Sequence, residues 1–314
     1  MAKWLKGLGL LTVLILVLGA CSTDAPGSSK DKGDSAEGDS DDTVKIGLSV
    51  STLNNPFFVS LRDGAEAAAE KAGHDIVVTD AQDDASTQLS DIEDLLQQNI
   101  DVLLVNPVDS EAVVTAIESA NDKDVPVITV DRSAADGEVV THIASDNVSG
   151  GEMAGEFIAE KLEESGKLVE LQGVPGASAT RERGEGFHNI VDSMDGLEVV
   201  AQQTANFNRS EGLNVMENII QGTDVMGAVF AHNDEMALGA VEALKSNGML
   251  EDVLVVGFDA TDDARAAVKE GTMDATIAQQ PKVIGEKAID AAGKVAKGNS
   301  VDEFIPVELQ LVTE

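Results

Sequence analysis

Short aliphatic runs alternate with longer amphipathic stretches along most of the chain. Runs rich in Val, Ile and Leu that are bounded by polar residues are typical of strands buried on both faces of a sheet. Such runs occupy residues 44–50, 76–79, 102–105, 127–130, 168–171, 199–202, 228–231, 253–256 and 275–278. Because strand–helix–strand units place neighbouring strands side by side in one direction, the alternation predicts an α/β protein with parallel sheets.

Between these runs, apolar positions recur with the spacing of one face of an α-helix. The predicted helices cover residues 59–72, 86–98, 110–121, 150–163, 181–194, 210–221 and 234–246. Near the end of the chain, residues 282–297 predict one more helix, and residues 306–313 alternate like a last strand. Right-handed crossovers between the strands would place helices on both faces of each sheet.

The number of predicted strands is too large for one compact open sheet. A chain of 314 residues is long enough for two medium-sized domains. We therefore expect two similar α/β lobes, with a break near residues 145–147. Since no long linker follows this position, a hinge is expected between the lobes, and the late helix and strand suggest that the chain crosses it more than once.

The first residues have the features of an export signal. Lys3 and Lys6 precede an apolar run over 7–18, which is too short for a comfortable transmembrane helix. The sequence LGAC ends this run at Cys21, like the lipobox of bacterial lipoproteins. We therefore expect a lipoprotein signal peptide over 1–20 and a lipidated Cys21 that holds the protein at a membrane surface. The alternative is a chance cysteine in an ordinary secretory signal.

Composition narrows the class of protein further. Residues 21–42 are rich in Ser, Gly and Asp and lack large apolar side chains, so a disordered acidic tether is expected there. The net charge of −36, from 57 acidic and 21 basic residues, disfavours nucleic-acid binding. Such a charge suggests a solvated surface adapted to high salt. Because Cys21 is the only cysteine, the chain has no intramolecular disulfide and no cysteine-based metal site.

Polar and aromatic residues follow the predicted strands in both halves of the chain. Ligands of open α/β sheets bind beyond the carboxyl ends of the strands. Planar Asp, Asn, Gln and Arg groups can pair with adjacent hydroxyls, and an aromatic ring can cover the C–H face of a sugar. Residues of these types after the predicted strands are Asn54, Asn55, Phe57, Phe58, Asn106, Asp131, Arg132, Gln172, Arg181, Arg183, Asn206, Phe207, Asn208, Asn233, Asp234, Phe258, Asp259 and Gln279. Any one of them alone has a simpler reading as a helix cap, a core residue or a solvated side chain.

Longer stretches carry a resemblance to a known family. They are STLNNPFFVSL, PVITVDR, VVTHIASDN, ELQGVPGASATRERGEGF, NDEMALGA, VVGFD and ATIAQ. With these, nearly all of residues 44–313 resembles the type I periplasmic-binding-protein family, and within it the ribose binders. The resemblance implies two Rossmann-like lobes with parallel sheets and a three-strand hinge. The implied lobes are residues 43–145 with 280–308 and residues 146–279 with 309–314.

The resemblance also implies how the site works. Asn55, Asp131, Arg132, Arg183, Asn233, Asp259 and Gln279 would hydrogen-bond the sugar, and Asn106 would be a further pocket residue. Phe57, Phe58 and Phe207 would sandwich the sugar ring. The implied protein is an extracytoplasmic monomer without a cofactor. It closes on D-ribose or a similar monosaccharide and delivers it to the permease of an ABC importer.

Three other interpretations stay open. The first is an enzyme, but no nucleophile elbow or phosphate-binding loop is evident, and His74, His142, His188 and His232 form no spaced metal motif. Of these, His232 adjoins Asn233, and a packing or rim role is favoured for it. The second is a sugar-responsive transcription regulator, whose DNA-binding segment would stand where the leader and tether are. The third keeps the transport role with another pentose, a hexose or a furanose-like signal molecule.

Overall fold

The computed structural model describes residues 43–223 and 226–313, so the predicted leader and tether lie outside the described residues. The strands are β1 Lys45–Val50, β2 Asp75–Asp80, β3 Val102–Val105, β4 Val127–Val130, β5 Val139–Ser145, β6 Gly166–Gln172, β7 Leu197–Thr204, β8 Ala228–Ala231, β9 Leu254–Asp259, β10 Ala275–Ala278, β11 Phe304–Val307 and β12 Gln310–Val312. The helices are α1 Pro56–Ala72, α2 Ala85–Gln97, α3 Val114–Asn121, α4 Asn147–Lys161, α5 Ser178–Val191, α6 Arg209–Gly222, α7 Asp234–Ser246, α8 Asp262–Glu270 and α9 Pro281–Ala296.

The strands form two six-stranded sheets, one in each lobe. The first lobe has the order β11-β5-β4-β3-β1-β2, and the second has the order β12-β10-β9-β8-β6-β7. All pairings in the first sheet are parallel, while in the second sheet β12 pairs with β10 in the antiparallel direction. The predicted pair of Rossmann-like α/β lobes is therefore confirmed, with β12 as an antiparallel edge strand.

The chain passes between the lobes three times, each time in a short connection between two consecutive elements. The first passage runs from β5, which ends at Ser145, to α4, which begins at Asn147. The second runs from β10 in the second sheet to α9, which packs against α1 of the first lobe. The third joins β11 to β12. The three-strand hinge is thus confirmed, and its short connections favour movement of the lobes as rigid bodies.

The elements differ from the sequence-based expectations in a few places. The single last strand expected over 306–313 is wrong, because β11 and β12 belong to different sheets and the chain changes lobe between them. Helix α3 begins at Val114 rather than at Ser110, whose backbone N–H instead bonds to the carbonyl oxygen of Gly176. Strand β5 and helix α8 were not predicted; α8 has few large apolar residues and buries only Ala264, Ala267 and Val268.

Helix pairs in both lobes cross through glycines that bring two backbones together. In the second lobe, a Cβ on Gly151 of α4 would overlap the carbonyl oxygen of Arg183, and one on Gly186 of α5 would overlap that of Val148. Gly64 and Gly285 play the same part where α1 crosses α9, and Gly212 and Gly239 do so where α6 crosses α7. Such close approach excludes every larger side chain unless the helices separate.

Within the described ranges, the longest apolar helical segments fall short of what a bilayer crossing requires.

Candidate ligand-binding site

The carboxyl ends of the parallel strands of both sheets border one small space between the lobes. The space between the atoms there is about 230 Å³, part of which is open to solvent. The side chains that line it are Asn55, Phe57, Phe58, Asp131, Arg132, Ala179, Arg183, Phe207, Asn233, Asp259 and Gln279. The structure thus brings together every site residue that the resemblance implied except Asn106, and it adds Ala179. A larger groove between α1 and α9 lies on the outer side of the first lobe, away from these strand ends.

Asn106 lies behind the wall of this space. Its Oδ1 accepts a hydrogen bond from the backbone N–H of Ser51 at 3.2 Å. Its Nδ2 donates to the carbonyl oxygen of Val130 at 3.1 Å and to Oδ2 of Asp131 at 3.3 Å. Both amide N–H groups of Asn106 are therefore used within the first lobe, and one of them orients Asp131.

Two of the candidate asparagines serve as helix caps while they line the space. Oδ1 of Asn55 accepts from the N–H of Phe57 at 2.9 Å and caps α1. Oδ1 of Asn233 accepts from the N–H of Met236 at 3.0 Å and caps α7, while its Nδ2 donates to the carbonyl oxygen of Phe207 at 3.2 Å. Each oxygen already accepts one hydrogen bond from its cap, and each amide also offers N–H groups to a ligand.

Asp131 and Arg132 form a buried pair at the end of β4. Asp131 has a φ of 63°, a left-handed conformation that is uncommon for a residue with a side chain and that turns it into the cleft. Arg132 Nε lies 3.8 Å from Asp131 Oδ2, and Arg132 Nη1 donates to the carbonyl oxygen of Pro107 at 3.2 Å. Burial raises the pKa of Asp131 and lowers that of Arg132, and each partner's charge opposes the shift of the other.

The Arg132 guanidinium lies between two aromatic rings from different lobes. Its Cζ is 5.1 Å from the ring centre of Phe58 and 5.1 Å from that of Phe207. Phe57 packs edge-on against Phe58, with ring centres 5.2 Å apart and planes at 89°. Phe58 and Phe207 therefore border the space on either side of Arg132, whereas Phe57 packs against Phe58.

The Phe207 ring lies directly over the end of β6. A Cβ on Gly173 would overlap this ring, so only glycine fits beneath it. Phe207 itself has a φ of 57°, which its neighbours must hold in place. Gly173 therefore also determines the shape of the site. Like the residues identified from the sequence, it directly follows a strand.

Arg183 is held from behind by contacts within the second lobe. Its Nη1 donates to the carbonyl oxygen of His232 at 2.6 Å, and its Nε donates to Oδ1 of Asn147 at 2.9 Å. Its Cζ lies 3.8 Å from the ring centre of Phe258, and its Nη1 is 3.7 Å from Oδ1 of Asp259. The guanidinium therefore meets a ligand in a fixed orientation.

His232 supports this arrangement from the interior. Its Nε2 lies 2.7 Å from Oε1 of the buried Glu170, whose Oε2 accepts from Gln202 at 2.5 Å. Burial raises the pKa of Glu170, but the hydrogen bonds from His232 and Gln202 outweigh it and lower this pKa to about 2. Burial lowers the pKa of His232, against its contact with the Glu170 carboxylate. The structure thus gives His232 the interior packing role, and it adds the use of its carbonyl by Arg183.

Asp259 and Gln279 complete the wall at the ends of β9 and β10. Gln279 Nε2 donates to Asp259 Oδ1 at 2.9 Å. Burial raises the pKa of Asp259 well above its ordinary value, against the attraction of Arg183. Both side chains are buried, so Asp259 depends on these partners and on a ligand for its solvation.

Several buried polar atoms on the wall have no hydrogen-bond partner among the described residues. They are Oδ1 of Asp131, Nε of Arg132 and Oε1 of Gln279. Buried polar groups are normally paired, because an unpaired one costs about 1–3 kcal/mol. Two acceptors and a donor facing one space suit a ligand whose groups both donate and accept, as hydroxyls do. Among the described residues, no His, Cys, Asp and Glu side chains cluster as a metal site would need.

The lobes also touch each other directly beside the site. The backbone N–H of Ser110 in the first lobe donates to the carbonyl oxygen of Gly176 in the second at 2.9 Å. The backbone N–H of Ser133 donates to Oγ of Ser178 at 2.9 Å, again from the first lobe to the second. Arg181 Nη2 adds a longer contact to Ser110 Oγ at 3.4 Å. The described arrangement is therefore a closed one.

Comparison with known proteins places this geometry in a family. Residues 46–300 match the model of the periplasmic binding protein domain. A ribose import binding protein of Bacillus subtilis is 54% identical over 307 residues, covering 97% of each chain. One from Escherichia coli is 52% identical over 269 residues, covering 86% of this chain and 90% of its own.

Solved structures agree with this assignment. An ABC transporter solute binding protein of Bacillus halodurans with bound myo-inositol has a TM-score of 0.82 and 36% identity, over 87% of this chain and 96% of its own. One from Actinobacillus succinogenes with bound D-allose has a TM-score of 0.82 and 30% identity, over 86% and 98%. These relatives are binding proteins of importers rather than enzymes, which confirms the prediction of a non-enzymatic role. This chain belongs to the type I periplasmic-binding-protein family.

Proposed function

We propose that this protein binds D-ribose between its two lobes and delivers it, outside the cytoplasm, to the permease of an ABC importer. The observation that carries the proposal is the space at the strand ends, where both lobes supply buried, unpartnered polar atoms and aromatic rings. A monosaccharide meets both requirements at once, since its hydroxyls pair with planar polar groups and its C–H faces pack on rings.

The proposed roles of the side chains follow from the groups that are free. Asp131 Oδ1 and Gln279 Oε1 accept hydrogen bonds from sugar hydroxyls, and Arg132 Nε donates one. Asn55, Arg183 and Asn233 supply further donors, and Asp259 a further acceptor. Phe58 and Phe207 border the C–H faces of the ring, with Phe57 behind Phe58. The two guanidiniums stay paired with carboxylates, so neither charge is buried bare.

Ribose is favoured over other sugars by degree of similarity. The relatives at 51–54% identity are ribose import binding proteins. Proteins named for D-apiose import, or solved with D-allose or myo-inositol, are 30–36% identical. The alternative is therefore the same transport role with another pentose, allose or a furanose signal molecule.

We further propose that binding closes the protein as a monomer about its hinge. The lobes would comprise 43–145 with 280–308 and 146–279 with 309–314. Membership of the sheets supports these bounds, because β5 and β11 pair in the first sheet while β10 and β12 pair in the second. Both lobes line the site, so a ligand that contacts both favours the closed form.

The test is isothermal titration calorimetry of the domain from Thr43 to Glu314 with ribose, arabinose, xylose, allose, glucose and galactose. We expect one ribose per chain, bound far more tightly than the other sugars. Tight binding of a different sugar instead would refute ribose and keep the transport role, whereas no binding of any sugar would refute the proposed function. Because the net charge of −36 suggests an acidic surface adapted to high salt, the titrations are run in low and in molar salt. Thermal unfolding of the domain is measured in the same two buffers. Equal thermal stability in both would contradict the adaptation to high salt.

We also propose that residues 1–20 are a signal peptide and that a lipid on Cys21 anchors the protein to the outer face of the membrane. The basic start, the apolar run and the LGAC sequence support this. In cells fed radiolabelled palmitate, the wild-type protein should carry label and fractionate with membranes. Cys21→Ser should lose both properties. Label that persists in the variant would disprove lipidation at Cys21.

A further inference from the structure

The turn that presents Asp259 to the cleft has an unfavourable backbone. Asp259 has a φ of 113° and Ala260 a φ of 53°, values that residues with side chains rarely adopt. Such conformations persist only when surrounding contacts hold them. The turn joins the end of β9 to the start of α8, so a small relaxation would move the Asp259 carboxylate relative to Gln279 and Arg183.

A buried hydroxyl and a buried carboxylate hold this turn from the interior side. The backbone N–H of Ala260 donates to Oγ1 of Thr276 at 3.1 Å. The Thr276 hydroxyl donates in turn to Oδ1 of Asp234 at 2.6 Å. Oδ2 of Asp234 accepts from the N–H of Thr261 at 2.7 Å and from its hydroxyl at 3.1 Å. Each residue after Asp259 in the turn is therefore tied to the same pair.

This pair is fully enclosed and does not line the ligand space. Asp234 and Thr276 are each 0% exposed, and neither contributes to the wall of the site. A Cβ on Gly257 would overlap Oδ1 of Asp234, so the strand before the turn leaves room for the carboxylate. Burial raises the pKa of Asp234 to about 7, against the hydrogen bonds from Thr276 and Thr261. The burial of this carboxyl group is unfavourable, and the group accepts hydrogen bonds from three donors, which indicates a structural role.

We propose that Thr276 and Asp234 are positioning residues of the sugar site, which hold the Asp259–Ala260 turn in its strained form so that Asp259 meets the ligand. The proposal rests on the proposed function in so far as the ligand is a sugar. The Thr276 hydroxyl does not contact the ligand and affects binding by fixing the position of Asp259.

The test compares two substitutions of one side chain. Thr276→Val keeps the shape but removes the hydroxyl, which leaves the Ala260 N–H and one oxygen of Asp234 unpaired. We expect the affinity for ribose to fall about 10- to 100-fold. Thr276→Ser keeps the hydroxyl and should stay within about threefold of the wild type. Thr141→Val is the matched control, because the buried Thr141 hydroxyl has no partner among the described residues, and it should bind like the wild type.

A double-mutant cycle separates positioning from general support of the fold. In an Asp259→Asn background, Thr276→Val should cost no more than about threefold in affinity, since the group that it positions is already altered. An equal loss in both backgrounds, or a loss in Thr276→Ser as large as in Thr276→Val, would overturn the proposal.

A measurement without ligand makes the proposal independent of the identity of the sugar. Hydrogen exchange of the Ala260 and Thr261 amides should speed up by at least about tenfold in Thr276→Val, with core amides of β6 and β8 unchanged. Unchanged exchange at Ala260 would overturn the proposal. Failure of the wild type to bind ribose would instead refute the proposed function, while the exchange result would still decide whether Thr276 holds the turn.

Discussion

Asp131→Asn is expected to weaken ribose binding by about 100- to 1,000-fold while leaving the protein folded. In the wild type, Oδ2 of Asp131 accepts from Asn106 and faces Arg132, and Oδ1 is the free acceptor on the wall. An amide has only one oxygen. Whichever way it turns, an NH₂ group meets either the donors of Asn106 and Arg132 or the sugar hydroxyl that needs an acceptor.

The ligand-free stability of this variant should fall only modestly. Burial raises the pKa of Asp131, so the substitution removes a desolvation cost, but it also leaves the buried Arg132 guanidinium without its carboxylate partner. Calorimetry with ribose and thermal unfolding without it measure the two effects. Asp136→Asn, an exposed acid farther along the same loop, is the control and should bind normally. Unchanged affinity in a folded Asp131→Asn would remove Asp131 from the contacts with the sugar.

Gly186→Ala is expected to lower the free energy of unfolding by about 3 kcal/mol. The added Cβ would overlap the carbonyl oxygen of Val148, and the next nearest atoms, the Val148 carbonyl carbon and the Glu152 nitrogen, also belong to the backbone. No side chain can rotate away, so α4 and α5 must separate. Since α5 carries Arg183, the affinity for ribose should fall in the same variant.

The matched control is Gly222→Ala, at the last residue of α6. A Cβ there meets no atom within 4 Å. This change should leave stability unchanged or raise it by up to about 1 kcal/mol, because alanine loses less backbone freedom on folding than glycine. Urea unfolding of both variants provides the comparison. Similar stabilities for Gly186→Ala and Gly222→Ala would show that the crossing of α4 and α5 tolerates separation.

Much of the fold follows from local patterns that the sequence displays. Buried parallel strands read as aliphatic runs, so β3, β4 and β8 were predicted with their observed bounds. Helix α8 gave no such signal, because its buried face consists of two alanines and a valine. The last passage between the lobes was implied by the family resemblance but not by the local pattern, because alternation continues through residues 306–313 although the strands on either side of Glu308 and Leu309 join different sheets.

The sequence predicted which residues line the candidate site but not what each of them does there. Side chains after parallel strands converge at one edge, which explains why nearly all of the expected residues line one space. Whether an asparagine caps a helix or lines the site looked like a choice, yet Asn55 and Asn233 do both. The supports behind the wall, such as Asn106 for Asp131 and the His232 carbonyl for Arg183, depend on contacts distant in the chain that no local pattern reveals.

The direct bonds between the lobes have a kinetic consequence. A sugar enclosed between the lobes leaves only when they part, and parting breaks the Ser110–Gly176 and Ser133–Ser178 hydrogen bonds. At about 1 kcal/mol each, the two bonds would prolong the residence time of the sugar by about 30-fold. A binding protein from which the sugar dissociates slowly loses little of it before it reaches the permease. Rapid release of the sugar then requires the permease to separate the lobes.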